Sequence, residues 1–196
     1  MQENDFDLDK FGINEGISET IVTTTNGWTL NAAPMGIIRK KDKTFIRLFK
    51  GSTTYENVVS GKLLVANITS DPELFALSTF TDLDDPSFEN VSFDGITIST
   101  LKEAQSWVVF ECVNTKLTSE AFVAELVPIR AHINKCRIKA PNRALFGVIE
   151  ACIHATRYHL TGDEKYVKLI KAYGDLVDKC GGDSEKEAMK IIYEYL

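Results

Sequence analysis

The chain has 196 residues, of which 44% are hydrophobic and 26% are charged, a composition typical of one large or two small globular domains. Its 22 basic and 28 acidic residues give a formal net charge of −6. This balance disfavours nucleic acid and anionic lipid as partners, because both require a broad cationic surface. No apolar run approaches the roughly 20 residues of a membrane span, and the start, MQENDFDLDK, is acidic where a secretory signal is basic and then apolar. We therefore expect a cytoplasmic protein that contacts neither nucleic acid nor membrane.

Neither the cysteines nor the histidines are spaced for a disulfide framework or a metal site. The four cysteines are widely separated and form no C-x-x-C pair: Cys112, Cys136, Cys152 and Cys180. Three of them lie in apolar segments, where a thiol packs as a small hydrophobe, so we expect reduced thiols. His154 and His159 are five residues apart, which does not match the i, i+4 spacing of two helical ligands, and no metal is expected.

The chain up to about residue 139 is rich in Thr, Val, Ile and Phe in short runs broken by Gly, Asn, Asp and Pro, a pattern typical of a β-rich domain. Asn26-Gly27 is the strongest hairpin signal, and it predicts a type I′ turn between two antiparallel strands. A second turn at residues 40–43 leads into TFIRLFK, whose aromatic and aliphatic residues alternate. We expect this strand to be largely covered.

Four further segments have strand character: KLLVANI, GITIST, SWVVFECVN and AFVAELVPIRAHI. Short helices are predicted at TTYENVVSG and at DPELFALSTF, where Asp71 caps the helix and Pro72 fits its first position. Strands and helices do not alternate regularly, which favours an antiparallel barrel over a doubly wound sheet.

The pattern changes to helices after Pro141, which divides the chain into residues 1–140 and 141–196. The first predicted helix runs from about Asn142 and stops at Gly162, and the second ends at Gly181-Gly182. The third is predicted to open with a capping box formed by Ser184 and Glu187. Their broad apolar faces predict that these helices pack on the barrel or on a partner subunit.

The segment Arg47-Leu-Phe-Lys50-Gly-Ser-Thr-Thr-Tyr-Glu-Asn57 has the composition of a phosphate site. Gly51 allows close backbone approach, Ser52, Thr53 and Thr54 offer hydroxyls, and a following helix would supply free amides and a positive dipole end. Lys50 adds charge. The same residues are also typical of an ordinary turn that leads into a helix, with a capping box at Thr53-x-x-Glu56.

A family resemblance favours the phosphate. Thr54-x-x-Asn57-Val58, followed by Leu63-Leu-Val65-Ala-Asn67, resembles the T-x-x-N-I … F-V-x-N pattern of the FMN-binding split-barrel, or flavin reductase-like, superfamily. Nearly the whole chain, including ETIVTT, NAAPMG, KGSTTYEN and RALFGVIEA, is similar to a mainly archaeal branch known as domain of unknown function 447. That branch has no established substrate.

The resemblance implies an FMN-binding barrel, usually a homodimer with the flavin in the interface, and an appended helical region. Position by position it assigns the phosphate to Lys50, Gly51, Ser52, Thr53, Thr54 and Asn57, and the ring to a strand containing Asn31, Ala32, Ala33, Pro34 and Met35. Asn67 matches a motif position that can be structural only. The nicotinamide specificity of better-known reductases does not carry over, because the loop and the C-terminal helices differ from theirs.

Three other polar residues leave two interpretations open. Glu111 lies in an apolar run and is a candidate acid or base if its strand is covered on both faces, or an ordinary outward residue if one face is wet. His154 and Arg157 either contact substrate or belong to a polar helical face with Glu150.

The predicted protein is α+β, an antiparallel split β-barrel with short inserted helices and a C-terminal three-helix region. Its leading functional interpretation is an FMN-dependent oxidoreductase that passes hydride or electrons to a small acceptor. The alternatives are a flavin carrier without a reaction of its own and a deazaflavin-dependent reductase.

Overall fold

The computed structural model describes residues 6–118, 121–135 and 139–196, so Cys136 lies outside the described residues. The chain forms two units. The barrel unit contains the described residues up to Thr69 and from Asp84 to residue 135, and the helical unit contains Ser70–Leu83 and the described residues from 139 onward. No helix in the described ranges is both long enough and apolar enough to span a membrane.

The barrel unit contains eight strands and one α-helix: β1 (Gly16–Thr25), β2 (Leu30–Lys40), β3 (Lys43–Phe49), α1 (Thr53–Gly61), β4 (Leu63–Ile68), β5 (Phe88–Phe93), β6 (Ile96–Leu101), β7 (Ser106–Leu117) and β8 (Ala121–Ile133). Six strands form a closed antiparallel barrel in the order β1-β2-β3-β8-β7-β4, and β5 and β6 form a separate hairpin. The predicted fold class, an antiparallel barrel with inserted helices, is confirmed.

Alternation of side chains along the strands forms the barrel core. In β3, Thr44, Ile46 and Leu48 are buried, whereas Phe49 is 59% exposed. The side chains of β3 therefore alternate as predicted. The expectation that its aromatic side is covered is wrong for the single chain, because Phe49 is exposed. Fifteen buried residues from the barrel strands, α1 and the N-terminal segment form the main cluster: Leu8, Ile13, Val22, Ile37, Ile46, Leu48, Val58, Leu64, Ala66, Val108, Phe110, Cys112, Phe122, Ala124 and Leu126.

A second apolar cluster covers the outer face of β4 and β7. Val65, Trp107 and Val109 pack there with Ile98 of β6, and further apolar residues of the hairpin complete the layer. Because β7 is covered on both faces between residues 107 and 110, its sequence there is continuously apolar.

The turn between β1 and β2 differs from the expectation, whereas the turn predicted at residues 40–43 connects β2 to β3. β1 and β2 do pair antiparallel, as predicted, but only Gly27 of the Asn26-Gly27 pair has a positive φ, so the turn is not type I′. A four-residue loop forms instead, in which the Asn26 side chain accepts hydrogen bonds from two backbone amides. The pair with two positive φ angles is Asp94 (47°) and Gly95 (78°), which connects β5 to β6.

The helical unit contains α2 (Pro72–Phe80), α3 (Arg143–Thr161), α4 (Lys165–Cys180) and α5 (Asp183–Glu194). Asp71 caps α2 as predicted, because its carboxylate accepts hydrogen bonds from two amides of the first turn. Although α2 follows β4 in the chain, it packs with α3 and α5, and Ala76 belongs to the core of this unit. The helical region thus contains a fourth helix contributed from within the barrel sequence.

The predicted capping box of the third C-terminal helix is wrong by two residues. α5 begins at Asp183, and the amide of Gly182 donates to the carboxylate of Glu185 over 2.9 Å. The Ser184 hydroxyl instead donates to Glu73 of α2, over 2.8 Å. This bond links α5 to the inserted helix.

Candidate functional site

The predicted ring strand lies along an opening in the barrel wall. β2 pairs with β3 only from Ile37 to Lys40, so the segment from Leu30 to Gly36 has no strand partner on that side. All five residues predicted beside the ring, from Asn31 to Met35, lie in this segment. Pro34 pairs with Ile21 of β1 on its other side, which agrees with the expectation that a proline strand lies at an edge.

The predicted phosphate segment forms the turn from β3 into α1. Gly51 has a φ of 82°, a left-handed conformation that favours glycine. Ser52 is the cap of α1, because its hydroxyl donates to the carbonyl of Phe49 (2.9 Å) and accepts from the amide of Tyr55 (3.2 Å). The cap is thus one residue earlier than the Thr53-x-x-Glu56 capping box predicts.

The first amide of α1 is available to an anion. Within the described ranges, the amides of Thr53 and Thr54 donate to no acceptor, whereas the next amide is satisfied by the Ser52 cap. Lys50 and Gly51 are exposed at the same turn. Thr53 is exposed and Thr54 is buried, so the arrangement presents the Thr53 amide at the positive end of a nine-residue helix, beside a cationic side chain.

One hydrogen bond joins the two predicted segments. The side-chain amide of Asn31 donates to the hydroxyl oxygen of Thr54 over 2.9 Å. Thr54 is only 1% exposed, so this bond ties β2 to the first turn of α1 inside the fold. The strand assigned to the ring and the helix assigned to the phosphate therefore meet at one point.

Asn57 lies behind this turn. It is 1% exposed, and its Nδ2 lies 3.2–3.3 Å from the carbonyl of Thr24, the hydroxyl of Thr24 and the carbonyl of Thr29. Its Oδ1 is buried and has no hydrogen-bond partner among the described residues. The side chain therefore fixes α1 against the end of the β1–β2 hairpin.

The donor set fits the phosphate of FMN. A phosphate dianion requires several N–H and O–H donors and a nearby positive charge, and the turn offers the amide and the hydroxyl of Thr53 and the ammonium of Lys50. Arg47 takes a different direction, because its guanidinium lies 5.7 Å from the centroid of the Phe49 ring on the outward side of β3. The unpaired edge of β2 offers main-chain groups to the polar edge of a flat ring.

The other polar candidates lie away from this turn. Glu111 is exposed and pairs with Leu63 and Val127 in the ladders of β7, which favours the interpretation as an ordinary outward residue. Asn67 is fully buried, and its amide donates to the Ile21 carbonyl and the Thr23 hydroxyl. It is a structural residue.

His154 belongs to the helical unit, and its ring stacks between those of Tyr166 and Tyr173 at centroid distances of 5.8 and 5.7 Å. Its Nε2 lies 3.9 Å from the carboxylate of Glu150. Burial, and then the positive charge of Arg157, lower the pKa of His154 below its ordinary value of 6.5. The imidazole is therefore neutral near pH 7.

Sequence reasoning missed a cavity of about 280 Å³ on the other edge of the β1–β2 hairpin. Its walls come from the end of β1, the start of β4, the end of α1 and strand β6, and none of the eleven predicted site residues lines it. No local motif marks this place, because it arises where two strands distant in sequence diverge.

The barrel unit has a split-barrel fold that solved flavin-binding proteins share. Two solved structures share this architecture at low identity: an FMN-binding protein from Thermus thermophilus with bound 1-cyclohex-2-enone (9% identical, 63% of this chain and 73% of that chain, TM-score 0.51) and a flavoredoxin from Methanosarcina acetivorans (12%, 63% and 72%, TM-score 0.50). At these identities the likeness establishes the fold alone.

The chain belongs to the DUF447 family, a family of unknown function whose N-terminal model matches residues 18–135 and whose C-terminal model matches residues 142–194. It is 51% identical to the FMN-bound protein MM1853 from Methanosarcina mazei, over 97% of this chain and 100% of that chain, with a TM-score of 0.93. It is also 26% identical to the uncharacterised protein MJ1453 of Methanocaldococcus jannaschii, over 92% of this chain and 98% of that protein. The predicted family is confirmed.

Proposed function

We propose that this chain binds FMN and acts as an oxidoreductase that passes hydride or electrons to a small acceptor. The observation that carries the proposal is the 51% identity, over nearly the whole chain, to a family member crystallised with FMN. The local geometry supports it, because the free amide of the exposed Thr53 lies at a turn that also carries a lysine.

The predicted site residues divide into two roles in this proposal. Lys50, Gly51 and Thr53 hold the phosphate through charge, close backbone approach, an amide and a hydroxyl. Ser52, Thr54 and Asn57 position them, since the Ser52 hydroxyl is engaged in the cap and the other two side chains are buried. Asn31 holds Thr54 in place and begins the edge that borders the ring.

The flavin supplies the redox chemistry in this proposal, and the chain supplies binding, orientation and exclusion of water. The residues from Ala32 to Met35 border one edge of the ring with main-chain groups and small or flexible side chains. No acid–base side chain is required of them, because hydride exchange takes place at the cofactor.

We propose further that the protein is a homodimer. Phe49 directly precedes Lys50 of the phosphate turn, and its side chain is 59% exposed on the outward side of β3. An exposed apolar side chain at this position favours a second subunit that covers it and the open side of the flavin. Light scattering at micromolar concentration tests this, and a monomer with bound flavin would contradict it.

The central experiment compares FMN and riboflavin, which differ by the phosphate. Lys50→Ala should weaken FMN binding roughly 10- to 150-fold and change riboflavin binding little, because a charge-assisted hydrogen bond contributes about 1.5–3 kcal/mol. Lys102→Ala, an exposed lysine of the same unit between β6 and β7, is the matched control and should leave both affinities unchanged. An equal loss of affinity for FMN and riboflavin would show that the phosphate does not bind at this turn.

Two further measurements separate the alternatives. Anaerobic mixing of the FMN-loaded protein with NADH or NADPH distinguishes an enzyme, whose flavin absorbance bleaches rapidly, from a carrier, whose flavin remains oxidised with every donor. A deazaflavin that displaces FMN and binds more tightly would replace the FMN assignment with the third interpretation.

A further inference from the structure

The cavity beside β1 exists because two strands diverge. β1 and β4 pair only from Ile21 to Thr23, opposite Val65 to Asn67. Thr24 and Thr25 on one strand and Leu63 and Leu64 on the other therefore face a gap instead of each other. In an extended strand the N–H and C=O of one residue point to the same side, and this side alternates, so Leu63 and Leu64 together turn one donor and one acceptor into the gap, whereas on β1 the Thr24 carbonyl is engaged by Nδ2 of Asn57.

The end of α1 and strand β6 enclose the gap. A Cβ on Gly61 would lie 3.2 Å from the carbonyl oxygen of Thr25, so a glycine lets the helix end approach β1 closely. On the opposite side the Thr23 hydroxyl donates to the carbonyl of Ser99 over 2.6 Å, which ties β6 to β1. These contacts give the cavity fixed walls.

The chemistry of the walls selects a neutral ligand. Of the twelve lining residues, five carry hydroxyls, five are aliphatic and two are glycines, so none carries a charge. An ion would lose its hydration there without a compensating partner, whereas a flat apolar face fits the aliphatic wall. The Ser99 hydroxyl donates to Asn90 and the Thr25 hydroxyl accepts from the amide of Gly27, so each retains further hydrogen-bonding capacity.

A tryptophan follows one of the lining residues in the chain, although its own side chain is not part of the lining. Trp28 follows the lining residue Gly27 and is 96% exposed, although its loop is held by the Asn26 side chain, which accepts from the amides of Trp28 and Thr29 at 2.9 and 2.8 Å. An indole on a fixed loop next to a cavity is suited to stack on a planar ligand, because it provides a large apolar face with few rotatable bonds.

We propose that this cavity is a second small-molecule site, separate from the flavin turn, for a neutral planar heterocycle with a ring amide. The unpaired edge of β4 holds the adjacent N–H and C=O of that ring, the aliphatic wall takes one face, and Trp28 covers the other. The proposal does not rest on FMN binding at Lys50, because none of the lining residues of the cavity is among the predicted flavin-site residues.

Uracil is the probe, since it is neutral, planar and carries two ring amides, and orotate, its carboxylate derivative, is the charge control. Uracil is added to the protein without FMN, and tryptophan emission is measured. Because Trp28 is exposed and Trp107 is only 4% exposed, quenching by a ligand at the surface reports mainly on Trp28. We expect saturable quenching with a Kd on the order of 1 mM, and orotate at least about 10-fold weaker.

Ser99→Leu fills the cavity and should weaken uracil binding at least about 10-fold, while Thr156→Leu, at an exposed hydroxyl residue of α3 outside the lining, should have no effect. Thr25→Val removes one hydroxyl with little change in volume and should weaken binding about 3- to 10-fold, which keeps the test valid if the leucine variant fails to fold. Non-saturable quenching, or equal binding by wild type and both cavity variants, would overturn the proposal. Displacement of uracil by one equivalent of FMN would overturn the separateness of the two sites, whereas retention of uracil by the FMN-loaded protein supports it.

Discussion

Replacement of Asn67 by alanine should destabilise the barrel without changing its ligand chemistry. The side-chain amide donates to the Ile21 carbonyl (2.9 Å) and the Thr23 hydroxyl (3.1 Å), and its carbonyl accepts from the amide of Leu101 (2.9 Å). Asn67 is fully buried, so water cannot replace these bonds. One side chain therefore ties β1, β4 and β6 together.

The expected loss is about 3–4 kcal/mol. Each lost hydrogen bond contributes about 1 kcal/mol, and leaving the Leu101 amide and the Ile21 carbonyl buried without a partner adds to this cost. With a urea dependence of about 2 kcal/mol per molar, the unfolding midpoint should fall by about 1.5–2 M. Trp107 is the natural reporter, because it pairs with Asn67 in the β4–β7 ladder and is buried.

A matched control is Asn90→Ala on β5, where an exposed asparagine accepts a single hydrogen bond, from the Ser99 hydroxyl. Its free energy of unfolding should stay within about 0.5 kcal/mol of the wild-type value, as is usual for surface substitutions. A loss below about 1 kcal/mol for Asn67→Ala would refute the structural role that we assign. FMN affinity of the folded Asn67→Ala protein should remain unchanged, and a large drop would make Asn67 a ligand contact instead.

Three more outcomes are expected. Burial raises the pKa of Cys112 to about 12 and that of Cys152 to about 11, so at pH 8 both should resist a thiol reagent until urea is added, whereas the partly exposed Cys180 reacts in the native protein. The lowered pKa of His154 means that the unfolded chain binds a proton more readily than the folded one, so stability is full above pH 6.5 and declines below it. His154→Phe should remove that part of the pH dependence of the urea midpoint. The fragment 1–140 keeps the inserted helix α2 without α3 and α5, and it should aggregate or lose flavin affinity because an apolar face is exposed; a dimeric fragment that stays in solution with FMN bound would contradict this.

Most strands and helices follow from local patterns, but one strand was missed. Residues 88–93 contain Glu, Asn and two serines between turn-forming segments, which indicates a loop by composition. The stronger signal was Asp94-Gly95, the pair that forms the turn with two positive φ angles. The type I′ turn was assigned instead to Asn26-Gly27, where the asparagine side chain caps the loop in another way. Dipeptide preference does not distinguish these cases, because both geometries use the same residues.

The candidate site was predictable to the level of segments. The glycine, the hydroxyl residues and the lysine of residues 50–57 predict an anion turn from their own chemistry, and the resemblance added the cofactor. What each residue does at that turn depends on partners far away in sequence. Asn57 faces Thr24 and Thr29, and Asn31 contacts Thr54, so capping and positioning roles emerge only when the hairpin and the helix are packed together.

The sequence alone determined the antiparallel barrel, the helical end and the turn from β3 into α1, because alternation, helical periodicity, capping residues and glycine positions act over a few neighbouring residues. Tertiary structure decided that α2 packs with the C-terminal helices, although it lies between two barrel strands in the sequence. It also decided that the part of β2 before Ile37 does not pair with β3, and that β1 and β4 diverge around a cavity. These features depend on where strands stop pairing and on which apolar faces find each other. Such long-range choices leave no local pattern, since the same residues would satisfy an extended strand or an amphipathic helix with any compatible partner.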